Sequence, residues 1–148
     1  MLFSLAWFMS ASDSFGSTEG LTTIPSNRNP KDTMDRLEAE LRARAMNIFA
    51  RIDHAAGAHE VGLELRPNEV IIFGNASGGT PLMQLSQTVG IDLPLKALVW
   101  QDAAAQTWIS YNEPNWIAQR HGLASADAIV SKLAALLRAV TTRAATDQ

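Results

Sequence analysis

Two stretches of this sequence carry side chains that could do chemistry. Asp53-His54 follows an alternating apolar segment, and a histidine beside a carboxylate can carry protons near neutral pH. Gly74 to Thr80 (GNASGGT) is a glycine-rich turn before a helix, where free N–H groups can hold an anion. We therefore predict a pocket for a small polar or anionic ligand between the turn and the pair. Its predicted ligand-binding residues are His54, Asn75, Gly78, Gly79, Thr80, Asp92 and Tyr111, with Tyr111 at the rim and Asp92 in support.

The same residues are compatible with other functions. In the first alternative, an enzyme uses His54 as general base and Asp53 orients its ring, which makes these two residues the catalytic candidates. In the second, the domain is a structural homodimer without a ligand, in which an open sheet face meets its twin. A plain structural role also stays open, in which the Asp-His pair ties a strand end to a helix start and the turn only closes the fold.

Other kinds of site lack the residues that they need. The turn keeps glycine at the first and sixth positions of a phosphate loop, but Thr80 stands where that loop has lysine, which argues against a nucleoside triphosphatase. His54 and His59 are five residues apart, a spacing that does not place two ligands on one helical face. We therefore predict no metal and no other cofactor. No Gly-x-Ser-x-Gly segment nominates a nucleophile.

Composition indicates an ordinary globular protein. The chain has 148 residues and 47% hydrophobic residues, enough for one domain with a single core. Its formal net charge of -3 argues against nucleic acid as a partner, because neutralising phosphates needs a basic surface. There is no cysteine, so disulfides and thiolate chemistry are excluded.

The N-terminal residues leave the compartment open. Residues 2–9 (LFSLAWFM) are apolar but too few to span a bilayer, so no membrane span is predicted. Small residues follow this apolar run, as at a signal cleavage site, but no Lys or Arg precedes the run, as a signal peptide would have. We treat residues 1–19 as a leader or flexible extension, compatible with a weak signal peptide, and the protein as cytoplasmic or periplasmic. Residues 20–143 form the predicted single domain, and residues 144–148 form a tail.

Hydrophobic periodicity predicts an α+β order. Continuous or alternating apolar segments predict strands over 21–24, 47–52, 70–73, 95–101 and 107–111, the last two as a hairpin that pairs Trp100 with Trp108. Helices are predicted from Pro30 to about residue 45, from Thr80-Pro81 to Gly90, from Pro114 to His121, and after a Ser125 cap. Residues 55–62 predict one or two further helical turns. The expected architecture is one mostly antiparallel sheet covered on one face by helices.

The chain contains four motifs in this order: ARIDHAAGA (50–58), IIFGN (71–75), IDLPLK (91–96) and YNEPNWIAQRHG (111–122). Together they resemble the bacterial and archaeal family called domain of unknown function 302. The resemblance covers about residues 20–123 and implies a small α+β protein of the β-α-β(4)-α kind, near the TATA-binding-protein-like folds, with no settled activity. That fold analogy carries no DNA-binding inference. Where similar proteins often have proline after the Phe-Gly-Asn motif, this chain has Ala76, and similar proteins often carry an export signal.

Overall fold

A five-stranded sheet forms the centre of the molecule in the computed structural model, which describes residues 18–123 and 126–147. Every pair of neighbouring strands is antiparallel, and the strand order is β1-β5-β4-β3-β2. β2 and β1 are therefore the two edges. The predicted antiparallel α+β sheet is confirmed. The strands are β1 Leu21–Ser26, β2 Asn47–Asp53, β3 Asn68–Gly74, β4 Leu95–Gln101 and β5 Thr107–Asn112.

Helices α1 and α5 pack on each other and on one face of the sheet, α1 over β2 to β4 and α5 over β1 and β5. The alternation in β4 shows which face they cover, because Leu95, Ala97 and Val99 are buried whereas Lys96 between them is exposed. Asn29 caps α1 by accepting a hydrogen bond from the Asp32 N–H. The helices are α1 Pro30–Arg42, α2 His54–Glu60, α3 Ala76–Leu85, α4 Pro114–Arg120 and α5 Asp127–Ala145.

The predicted helix start at Thr80-Pro81 is wrong. α3 begins at Ala76, because the Asn75 side chain accepts a hydrogen bond from the Gly78 N–H and caps the helix five residues earlier. Pro81 therefore lies inside α3, where its ring costs one backbone hydrogen bond. The predicted end at Gly90 is wrong as well, since α3 stops at Leu85 and a separate 3₁₀ helix covers Gln87–Ile91.

The predicted β4–β5 hairpin is confirmed. Trp100 lies opposite Trp108 in the register, and their rings stack with centroids 6.2 Å apart. The predicted cap at Ser125 and residues 1–17 of the predicted leader (residues 1–19) lie outside the described residues. α5 continues to Ala145, past the predicted domain end at residue 143. Among the described helices, none is both long enough and apolar enough to cross a membrane.

Candidate functional site

A cavity of about 600 Å³ lies where β2 begins and β3 ends, and residues of α3 and α5 complete its lining. Its size is in the range of small-molecule sites, which are usually a few hundred to about 1,000 Å³. Most of its lining is apolar, and its described polar contributors are few. The lining residues are Met46, Phe49, Gly74, Asn75, Ala76, Ser77, Gly78, Gly79, Met83, Leu93, Pro94, Leu95, Lys132, Leu133 and Leu136.

The glycine-rich turn forms one wall of this cavity, and the 93–95 segment lies beside it. A Cβ at Gly74 would lie 3.6 Å from the Pro94 Cβ, and a Cβ at Gly79 would lie 3.5 Å from Leu93 Cδ1. These are ordinary van der Waals distances, so the 93–95 segment lies beside the turn, and a small side chain would fit between them at either glycine.

Asn75 holds the turn in place. Its Oδ1 accepts hydrogen bonds from the Gly78 N–H at 2.7 Å and from Ser77 Oγ at 2.9 Å. Its Nδ2 donates to the Met46 thioether sulfur at 3.6 Å. Asn75 therefore lines the cavity as the cap of α3. The first N–H groups of a helix have no acceptor within the helix, so this end of α3 carries a partial positive charge.

Lys132 supplies the charged side chain of the lining. It lies on α5, is exposed, and forms no ion pair with any described residue. The apolar side chains of the lining come from four segments: Met46 and Phe49 at β2, Met83 on α3, Leu93 to Leu95 at the start of β4, and Leu133 and Leu136 on α5. The cavity is therefore mostly apolar, with a cationic side chain and a helix N-terminus in its lining.

Of the seven predicted ligand-binding residues, three line the cavity. Asn75, Gly78 and Gly79 do so, whereas Thr80 is the next residue along α3, is exposed, and is not in the lining. The other predicted residues lie elsewhere in the fold.

Asp53 and His54 lie at the far end of the β2–β3 pair. Asn47 pairs with Gly74 and Asp53 pairs with Glu69, so six residues of strand separate the two ends, about 20 Å at 3.3 Å per residue. Asp53 caps α2 by accepting from the Ala56 N–H at 2.9 Å. His54 is exposed and lines none of the described cavities. The predicted convergence of this pair with the glycine-rich turn therefore does not occur.

Tyr111 is buried beneath α5 and is not at a rim. It shares the helix-covered face of β5 with Thr107 and Ile109, and only 6% of it is exposed. Burial raises the pKa of the Tyr111 hydroxyl, and the negative charge of Glu113 adds to the effect. The hydroxyl also interacts with Thr22 and Thr141, which lower its pKa. Tyr111 therefore joins β1, β5 and α5.

Asp92 contacts α4 and does not line the cavity. Its carboxylate meets His121 Nε2 at 2.5 Å and Arg120 Nη1 at 3.2 Å. The Arg120 guanidinium also lies 5.6 Å from the Trp116 ring centroid. Leu93 to Leu95 do line the cavity, so Asp92 is the residue immediately before this part of the lining.

Sequence reasoning missed the apolar part of the lining. Met46 follows α1, and Phe49 occupies a β-bulge between Ile48 and Ala50, where the register with β3 shifts. The bulge leaves Phe49 with 58% of its surface exposed. Alternation predicted a regular strand here, and nothing in it indicates a bulge. In residues 18–123 and 126–147, no group of three His, Cys, Asp or Glu is placed to hold a metal ion.

Comparisons with known proteins place the fold and the family. A family model described as "Domain of unknown function DUF302" matches residues 22–140. The crystal structure of an uncharacterized conserved protein DUF302 from Bacillus stearothermophilus aligns with a TM-score of 0.78 at 20% identity, covering 86% of this chain and 99% of that one. At that identity the likeness shows the fold alone.

Longer relatives occur in Brucella. A protein named fluoride-specific ion channel FluC 1 from Brucella suis biovar 1 (strain 1330) is 44% identical over 129 residues, which are 86% of this chain and 51% of that protein. The protein of the same name from Brucella abortus biovar 1 (strain 9-941) is also 44% identical over 129 residues, 48% of its length. The chain spans about half the length of these curated relatives.

Proposed function

The chain belongs to the DUF302 family, a domain of unknown function, and from that premise we propose that it binds a small molecule with an apolar body and an anionic end in the cavity beside Gly74–Gly79. The observation that carries the proposal is the cavity itself, since it is largely apolar and Lys132 is its one charged lining residue among those described. Ligand sites typically combine an apolar lining with a small number of placed polar groups.

The cavity lining favours a different kind of ligand from the one that the sequence alone predicts. Polar residues at strand ends predict a small polar or anionic molecule, but Met46, Phe49, Met83, Leu133 and Leu136 offer such a molecule mostly apolar surface. Burying a polar group there without a partner is unfavourable. An apolar body gains free energy on burial, at about 25 cal/mol per Å². The anionic character is kept for one end of the ligand, because Lys132 and the N-terminus of α3 are both in the lining and both favour negative charge.

Two methionines in the lining favour the binding of flexible apolar chains. The side chains of Met46 and Met83 are unbranched and polarizable, so they adapt to ligands of different shape. Such a site selects for size and for one charged end more than for a fixed hydrogen-bonding pattern.

Calorimetric titration with three ten-carbon probes tests the proposal. Decanoate, decan-1-ol and decyltrimethylammonium share a chain and differ in charge, so we expect affinity to fall in that order. Lys132→Gln is expected to lower the ratio of decanoate affinity to decan-1-ol affinity about fivefold, an effect of about 1 kcal/mol, the upper end for an exposed charge. Arg143→Gln is the matched control, because Arg143 lies exposed on the same helix outside the cavity.

Cavity-filling variants locate the binding. Leu133→Trp puts a larger side chain into the lining, and Ala76→Trp does the same from an exposed position that the fold tolerates more easily. Both are expected to abolish decanoate binding. If wild type binds none of the three probes, or if both filled variants bind decanoate as wild type does, the proposal is wrong.

The Brucella relatives favour a second candidate function, in which this domain acts together with a fluoride channel. The supporting observation is that two relatives named fluoride-specific ion channel contain a half that is 44% identical to this chain. Under this candidate, ligand binding in the cavity alters fluoride conduction. Fluoride efflux from liposomes holding the full-length Brucella protein would be compared with and without decanoate. Efflux that does not respond to decanoate at concentrations that saturate the cavity would contradict it.

A further inference from the structure

His121 is the buried centre of a hydrogen-bonded cluster beside the cavity. Only 7% of its side chain is exposed, and both ring nitrogens have partners. Nε2 lies 2.5 Å from Asp92 Oδ2, and Nδ1 lies 2.9 Å from Thr88 Oγ1. Asp92 is itself 13% exposed at its side chain, so this pair is sheltered from water. The cluster joins the 3₁₀ helix Gln87–Ile91 to the end of α4 across about 30 residues of sequence separation.

The cluster is connected to a cavity wall by one peptide. The Asp92 and Leu93 N–H groups both donate to the Val89 carbonyl, at 3.0 and 3.2 Å. Leu93, Pro94 and Leu95 then line the cavity, and Leu93 Cδ1 comes within 3.5 Å of where a Cβ would stand at Gly79. A shift of Asp92 would therefore move Leu93 relative to the glycine-rich turn.

We propose that Asp92 and His121 form a positioning pair that fixes the 93–95 wall of the cavity and so sets ligand affinity. The inference rests on the proposed function for its effect on affinity, and on the contacts alone for its effect on the wall. Neither side chain lines the cavity. The pair acts through Leu93, which follows Asp92 in the chain and lines the cavity beside Gly79.

The direction of the hydrogen bonds indicates which variants of His121 keep one of its two contacts and remove the other. In the neutral ring, Nε2–H donates to Asp92 and Thr88 Oγ1–H donates to Nδ1, with Ser86 Oγ 3.1 Å from Thr88 Oγ1. A glutamine amide reaches about as far as Nε2, so His121→Gln keeps a donor for Asp92. An asparagine amide reaches only about as far as Nδ1, so His121→Asn keeps the Thr88 side and loses Asp92.

Decanoate affinity in matched variants tests the pair. We expect Asp92→Ala and His121→Asn to weaken binding about tenfold, as the loss of a charge-assisted hydrogen bond allows. His121→Gln is expected to stay within about twofold of wild type. Ser26→Ala is the control for general destabilisation, since its buried hydroxyl pairs with Thr33 Oγ1 at 2.8 Å away from the cavity lining. A merely structural role would weaken binding in Ser26→Ala as much as in Asp92→Ala.

Native-state amide hydrogen exchange measures the local stability of the 93–95 wall in the absence of ligand. In Asp92→Ala, exchange at the Leu93 N–H is expected to accelerate at least tenfold more than exchange at Leu37 in α1. Equal acceleration at both sites would overturn the inference, as would unchanged decanoate affinity in Asp92→Ala and His121→Asn. If wild type binds no decanoate, the proposed function fails while the exchange at Leu93 still decides the positioning role.

Discussion

The two ends of the β2–β3 pair differ in what surrounds them. At one end, the glycine-rich turn, the 93–95 segment and α5 enclose a cavity of about 600 Å³. At the other end, Asp53 and His54 lead into α2, a seven-residue helix with no buried residue. The reactive residue types are at the exposed end, and the concave surface is at the end whose residues are mostly apolar. A site therefore depends on enclosure by separate elements more than on the presence of a histidine and a carboxylate.

The exposed end has a different chemistry. Several of the described exposed large apolar side chains occur there, between residues 52 and 65: Ile52, Val61, Leu63 and Leu65. Exposed apolar patches often mark protein interfaces. The predicted homodimer stays a prediction, and this end is where sedimentation of wild type and a Leu63→Glu, Leu65→Glu variant would test it.

The largest expected effect separates the core from the cavity lining. Phe73 is fully buried, so Phe73→Ala is expected to lower the free energy of unfolding by about 3–5 kcal/mol. Phe49 is 58% exposed, so Phe49→Ala is expected to cost less than about 1 kcal/mol while weakening decanoate binding. Urea unfolding and calorimetry of both variants check this. A Phe49→Ala variant with wild-type affinity would contradict the assignment of the cavity.

The helix caps at the two ends should differ in their effect on stability. Asn75→Ala removes the cap of α3 and is expected to cost about 1–2 kcal/mol. Asp53→Ala removes the cap of α2, and we expect less than about 0.5 kcal/mol, because α2 can unfold locally without exposing a buried residue. Asn75→Asp is the control, since aspartate caps a helix as well as asparagine does. Equal losses in the two alanine variants would show that α2 unfolds together with the core.

Midway along β2, Arg51 ties the strand to α1 and to β3. Lys31 and Arg51 lower the pKa of Asp35, and Arg42 and Arg51 lower the pKa of Glu38. A carboxylate whose pKa is lowered in the folded state stabilises the fold above its unfolded pKa of about 4, and this contribution is lost as pH falls through the folded pKa. Arg51→Ala is therefore expected to cost about 0.5–1 kcal/mol at pH 7 and less at pH 3. A loss that stays the same at pH 3 would contradict this sign.

The smallest effect is expected at His54. It is exposed and its side chain has no described hydrogen bond, so His54→Ala is expected to change stability by less than about 0.5 kcal/mol and to leave decanoate affinity unchanged. The measurement also addresses the alternative in which His54 is a general base. Loss of binding in this variant, with Asn75→Ala unaffected, would move the site to the other end of the strand pair.

The sequence predicts the sheet well because its signals are local. Trp100 and Trp108 lie on alternating segments that flank a short turn, and the structure pairs them. The site depends on signals that are not local. Thr80-Pro81 looks like a helix start in the sequence, and only the folded turn shows that Asn75 caps α3 instead. The relation of His54 to Asn75 depends on strand direction, which places them about 20 Å apart.

The contact between Asp92 and His121 shows the same limit of sequence-based prediction. Both belong to motifs that resemble the family, yet they are 29 residues apart and nothing in the sequence says that they meet. The bulge at Phe49 is likewise visible only in the register of β2 against β3, and Phe49 lines the cavity. Periodicity indicates which residues face the core, but it does not indicate where the core is incomplete.

Methyl and ring signals in one NMR titration test the central claim most directly. Met46 and Met83 line the cavity and Met34 is fully buried in the core, while His54 and His59 mark the opposite end. With labelled methionine methyls and histidine rings, added decanoate is predicted to shift Met46 and Met83 in proportion to occupancy and to leave Met34, His54 and His59 in place. Shifts at His54 and His59 with Met46 and Met83 unchanged would contradict the cavity as the binding site.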